Sequence, residues 1–222
     1  MLHDHRGLAA TTDSAAAMAH YEAALAQFHA YRGDPVATLD AALAADPSFA
    51  LAHLFKAFAL LTTSEARHVP AARAAIAEAQ SNALRLNPRE RALCAAAERL
   101  AAGDWHTASR RLDAVLRDWP RDALALQTAH LMDFYRGDAL NLRNRISRAL
   151  PAWSASLPGY SFVLGMHAFG LEECNQSAEA ERAARRALAI EPADGWAVHA
   201  VAHVMEMQGR IDDGIAWLTS RQ

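Results

Sequence analysis

Cysteine is scarce in this 222-residue chain: Cys94 and Cys174 lie 80 residues apart, each inside a helical pattern. Two thiols placed this way form neither a disulfide framework nor a metal knuckle, and they read as small buried side chains in a reducing compartment. Aromatic residues make up only 7% of the sequence and β-branched residues are few; no segment shows the alternation of a half-buried strand. Neither sign of charge dominates. The 22 Lys and Arg face 25 Asp and Glu, a net of −3 with pI near 6.4, so no global field draws the chain to nucleic acid or to an acidic membrane. No apolar run approaches membrane-spanning length, and the opening MLHDHRGLAATTDS lacks the basic-then-apolar order of a signal peptide. A cytoplasmic protein is the expectation. Also missing are a Gly-rich phosphate loop, a G-x-S-x-G string and a Cys/His nucleophile arrangement.

What is present is a helix-forming mixture. The sequence is 52% hydrophobic, yet its mean hydropathy is only −0.07, because much of the apolar fraction is alanine. Turn-and-stop signals punctuate it at a nearly fixed interval: Gly33-Asp34, Gly103-Asp104 and Gly137-Asp138, with Gly209-Arg210 of the same character. Gly103 and Gly137 are 34 residues apart, and the other steps, 70 and 72 residues, are close to two such periods. Pro47, Pro88, Pro120, Pro151 and Pro192 form a second series. A period of about 34 residues is that of the tetratricopeptide repeat, a helical hairpin that must stack on its neighbours to bury its apolar face.

Between these signals the sequence divides into twelve helical segments, or six hairpins. The first is capped at Asp13-Ser14 and the second at Asp34-Pro35. A repeat ending at Pro192 puts its turn at Asn175 and its small positions at Ala180, Ala184 and Ala187; one ending at Pro120 puts Ala108 at a small position. The hairpin from Pro47 to Pro88 is too long by several residues, with an irregular joint around TTSEARH. The expected fold is all-α, a right-handed α/α superhelix of about six degenerate tetratricopeptide-like hairpins. Residues 1–222 form one domain and residues 1–12 a loose leader.

The strings TAHLMDFYRGD, PGYSFVLGMHAFGLEE and AERAARRALAIEPADGWAVHAVAHVMEMQGRIDDGIAWL resemble the tetratricopeptide repeat protein 38 family. TTDSAAAMAHYEAAL, ADPSFALAHLFKAFAL and LNPRERALCAAAE resemble that family's opening. The resemblance covers essentially the whole chain but about the first half of such a protein, whose later His-Asn-x-x-His helix has no counterpart here. It implies a repeat fold, and no particular reaction. A short or truncated member is the expectation, with Ile211, Ile215, Trp217 and Leu218 of the last hairpin covered by a second copy or a partner, or with Trp217 and Leu218 folded back on the preceding helix.

The sharpest polar feature is His199, His203, Glu206 and Arg210, whose spacings of 4, 3 and 4 place them in one stripe of a helix. An i, i+4 histidine pair suits zinc, and Glu206 would add an oxygen ligand or a base. Yet HAVAH is not H-E-x-x-H, so the metalloprotease pattern fails. Glu172 and Glu173, ending the equivalent helix one repeat earlier, and His130 with Asp133 on the helix before that, extend the stripe into a polar track. The arginines Arg110/Arg111, Arg143/Arg145/Arg148 and Arg182/Arg185/Arg186 read as solvated faces or ion pairs, and Glu65-x-x-His68 as part of a joint.

These residues give two functional readings. In the first, the chain is a repeat scaffold holding a peptide or protein partner in a concave groove anchored by His199, His203, Glu206, Arg210, Glu172, Glu173, His130 and Asp133. No cofactor, nucleic acid or membrane is involved, and a homodimer would form through the C-terminal hairpin. In the second, it is a metal-dependent or acid/base hydrolytic enzyme using His199, His203 and Glu206, with a divalent metal as its cofactor.

Overall fold

A computed structural model describes residues 1–81 and 83–221. Asn82, inside the segment expected as one helix over 69–86, and Gln222 lie outside the described residues. Two short strands, β1 (Leu2–His3) and β2 (Ala9–Ala10), precede twelve α-helices among the described residues. These are α1 (Ala15–Ala30), α2 (Pro35–Ala45), α3 (Ala50–Leu61), α4 (Val69–Ser81), α5 (Pro88–Ala101) and α6 (Trp105–Asp118). They continue with α7 (Ala123–Tyr135), α8 (Ala139–Ala149), α9 (Tyr160–Glu173), α10 (Ser177–Ile190), α11 (Gly195–Met207) and α12 (Ile211–Thr219). The chain is all-helical apart from the strand pair, and neighbouring helices pack in sequence order.

The recurring Gly-Asp pairs act as a stop followed by a start. Gly103 and Gly137 have φ of +80° and +64°, left-handed values that let the chain leave a helix without a Cβ penalty. The aspartate that follows then accepts from the backbone N–H three residues on: Asp34 from Ala37, Asp104 from Thr107 and Asp138 from Asn141. That satisfies one of the orphan donors at each new helix start. Asn175, read as a turn, has φ of +58° between α9 and α10. Ser14 caps α1 through Ala17, and the joint around Glu65 is irregular, a single 3-10 turn at Ala66–His68.

The chain divides into two compact units, Met1–Met132 and Asp133–Gln222. In the first, α1 packs on α2, α3 on α4 and α5 on α6. Tyr21 and Phe28 meet the ring of Phe55 edge-on at 5.6 and 5.3 Å, over a core of buried leucines and alanines. The leader is not loose. β1 pairs antiparallel with β2, and the turn between them is tied by the Asp4 carboxylate, which accepts from the N–H groups of Arg6 and Leu8. Arg6 donates to both carboxylate oxygens of Glu22 at 2.6 and 2.7 Å. Arg89 joins Asp122 at 2.9 Å and donates to the carbonyl of Ala9, while Glu90 accepts from the Thr11 N–H. Asp4, Arg6, Arg89 and Asp122 are all buried. Buried charges persist when they are paired and hydrogen-bonded, so the polar leader is held by partners far away in sequence.

In the second unit α9 is central, packing against α8, α10 and α11, while α12 packs on α11. Ala180, Ala184 and Ala187 on α10 are fully buried, as their small-residue register requires. α8 approaches α9 so closely that a Cβ on Gly170 would stand 2.7 Å from the Cα of Arg143. Cys174 donates to the Ala139 carbonyl, and burial pushes the Cys94 thiol up to about 11, so both cysteines are packing residues.

Candidate functional site

The second unit carries a continuous row of rings on α7, α9 and α11. Phe134 meets Phe169 and Trp196 edge-on at 5.6 and 5.8 Å, and Phe169 stacks on Trp196 at 4.6 Å. Phe169 then meets the His199 imidazole edge-on at 5.2 Å, and His199 lies 4.1 Å from His203. Each aromatic pair adds about 0.5–1.5 kcal/mol beyond its area burial. Only part of the row is buried: Phe169 is enclosed, whereas Phe134 and the adjacent Tyr135 are 42% and 48% exposed. The four-residue spacing of His199 and His203 stacks them one turn apart, as their stripe implies.

At the end of the row, His203 Nδ1 stands 3.4 Å from Glu172 Oε2. That is an ion-pair separation, longer than a good hydrogen bond, and Glu172 Oε2 is buried without a hydrogen bond. Burial pushes the Glu172 carboxyl above its ordinary range; the charges of Glu173 and Glu206 push it further, and His203 opposes them. His199 goes the other way. Burial of its ring disfavours the charged form, and the neighbouring His203 adds to that, so its pKa is lowered. Glu172, Glu173 and His203 each present a donor atom within 4.8 Å of the others.

A cleft of about 370 Å³ adjoins this group, lined by His203, Glu206, Arg210, Ile211, Ile215 and Leu218 among others. Six of the eight candidate site residues lie on or beside α9 and α11 in the second unit: His199, His203, Glu206, Arg210, Glu172 and Glu173. Their roles differ from the simple stripe. Arg210 is held by Glu181 at 2.9 Å and Asp213 at 3.2 Å, so its guanidinium is committed to the α10–α12 packing.

His130 and Asp133 do not line a groove, because both are fully buried. Asp133 accepts from Arg145 at 2.8 and 3.1 Å, a bidentate buried pair whose desolvation raises the carboxyl while Arg145 opposes the rise. Other arginines of the expected solvated faces are paired as well: Arg185 with Glu181 and Arg182 with Glu179. The Trp217 ring meets the guanidinium groups of Arg185 on α10 and of Arg221 at 5.0 and 3.9 Å, but Leu218 stays 49% exposed.

The ring row is not legible in the sequence, because Phe134, Phe169 and Trp196 lie on three different helices and come together only by packing. Phe134 lies at the end of α7, Phe169 in the second half of α9 and Trp196 at the start of α11, so the row has no common phase that the sequence displays. Ser147 and His167 also meet, at 3.0 Å. The Ser147 hydroxyl donates to the Arg143 carbonyl at 2.8 Å, within its own helix. No family model matches the chain, and no solved structure matches it. Among the described residues, no helix is long and apolar enough to cross a membrane.

Proposed function

We propose that this chain is a helical-repeat scaffold that binds a peptide or protein segment. In this reading the hairpins are degenerate tetratricopeptide-like repeats stacked in a right-handed superhelix, akin to the tetratricopeptide repeat protein 38 family. Support for the repeat comes from the alternation of glycine stops with aspartate caps and from packing between helices adjacent in sequence.

The observation that carries the binding role is the half-exposed ring row. Phe134, Tyr135 and Trp196 offer apolar area, His199 and His203 offer ring edges with hydrogen-bonding nitrogens, and Glu206 offers charge beside them. Rigid aromatics beside a few polar groups are what peptide anchors use, because little side-chain entropy is lost on binding. A segment with an apolar or aromatic residue followed by a basic one fits this order of chemistry. Display of random peptides against the purified chain tests the reading: enrichment of such a pattern supports it, and no enrichment over an unrelated helical protein contradicts it.

The last hairpin is proposed to meet a second copy, because Ile211, Ile215 and Leu218 are 54%, 60% and 49% exposed on one short helix. A hydrolytic role is the second reading. One observation favours it, the convergence of two carboxylates and an imidazole at Glu172, Glu173 and His203. Recovery of enriched peptides intact after prolonged incubation separates binding from cleavage.

A further inference from the structure

Glu172 and Glu173 end α9, and His203 lies in the middle of α11, so their convergence comes from helix packing and not from adjacency in sequence. Three features of the group are unexplained by a simple ion pair. First, the 3.4 Å between His203 Nδ1 and Glu172 Oε2 exceeds the 2.7–3.2 Å of a hydrogen bond, whereas two ligands each about 2.1 Å from a tetrahedral ion stand about 3.4 Å apart. Second, the Glu172 side chain is only 10% exposed and its Oε2 accepts no hydrogen bond, a costly state for a carboxylate oxygen. Third, Glu173 brings a second negative charge within 4.8 Å of both donors, which worsens the repulsion that a single imidazole must offset.

We propose that Glu172, Glu173 and His203 bind one divalent transition-metal ion of the zinc type. The ion satisfies the buried Oε2 and neutralises the paired carboxylates together. Glu173 is exposed, so its side chain swings in to complete the set without moving the helices. The donor chemistry selects the metal. Calcium needs six to eight oxygens and magnesium holds to water and oxygen, whereas one imidazole nitrogen with two carboxylates suits zinc and its neighbours. Three protein ligands leave a fourth position for water or a ligand atom. His199 supplies no donor to the group; its ring packs at a tilt against the His203 ring, 4.1 Å between centroids. His203 also lines the neighbouring cleft, so the ion borders the surface proposed to receive a peptide.

The test is isothermal titration of metal-stripped, untagged protein with Zn²⁺. The parent takes up one equivalent with a dissociation constant in the micromolar range or below, while His203→Gln and Glu172→Gln/Glu173→Gln weaken it at least tenfold. His106→Gln, an exposed histidine in the other unit, binds as the parent does. Co²⁺ loaded into the parent gives the d–d absorption of a four-coordinate N/O site without thiolate charge transfer, a readout that does not depend on the variants folding. No saturable one-equivalent uptake by the parent overturns the assignment. So does parent-like binding by variants that keep the parental circular dichroism, or Mg²⁺ and Ca²⁺ competing equally with Zn²⁺.

Discussion

Asp194 holds a proton that an ordinary aspartate would have lost. It caps α11 by accepting from the Ala197 N–H, while its Oδ2 is buried without a hydrogen bond. The carboxyl packs against α9 where residue 165 is glycine, and a Cβ there would overlap it. Burial is the largest influence and raises the pKa to about 7, against the lowering effect of the Ala197 and Trp196 N–H groups. The folded state therefore keeps a proton between about pH 4 and about pH 7 that the unfolded chain releases. Stability from this group is fully present below the ordinary aspartate pKa and is lost as the pH rises through about 7. Asp194→Asn keeps a good cap and removes the titration. Urea denaturation is expected to show the variant gaining roughly 2 kcal/mol on the parent between about pH 5 and about pH 8; a difference that does not change with pH contradicts the assignment.

The burial of Asp194 against Gly165 is not legible in the sequence, because it depends on how closely α9 and α11 pack. The same limit hid the leader. Arg6, Asp4 and Thr11 look like solvated polar residues until Glu22, Arg89 and Glu90, up to 85 positions away, are brought to them. It also hid the burial of Asp133, whose partner Arg145 read as one of a surface cluster.

At the level of the element, local signals carried further. Gly-Asp stops, the Asn175 turn and the alanine register of α10 placed the hairpins, since each rests on chemistry within about four residues. Two glycines inside helices separate propensity from packing. Gly214 on α12 has only the Met205 Cβ at 3.7 Å from an added methyl, whereas Gly170 faces the backbone of Arg143 and Leu142. Gly214→Ala is expected to stabilise the chain by about 0.5–1 kcal/mol. Gly170→Ala is expected to cost about 1–3 kcal/mol despite its better propensity, because backbone atoms cannot step aside as a flexible side chain does. Thermal melts of both variants check the pair, and equal effects of the same sign would refute the close α8–α9 approach.

For the molecule as a whole, the half of the site read from the sequence was the polar half. The histidine stripe and the Glu172/Glu173 pair are visible as spacings. The ring row that joins them to Phe134 needs three helices in register and has no local signature. Self-association through α12 predicts a dimer in analytical ultracentrifugation that Ile215→Asp/Leu218→Asp converts to a folded monomer; a monomeric parent contradicts it.

The proposed binding role rests on the ring row, in which Trp196 is partly exposed and His199 exposed. The most direct measurement is the affinity of the parent, Trp196→Ala and His199→Ala for one fluorescent peptide taken from the display selection, with circular dichroism confirming that all three are folded. The account predicts at least tenfold weaker binding by each variant, in line with the loss of an aromatic anchor. Equal affinity in all three would contradict it and place the peptide elsewhere on the chain.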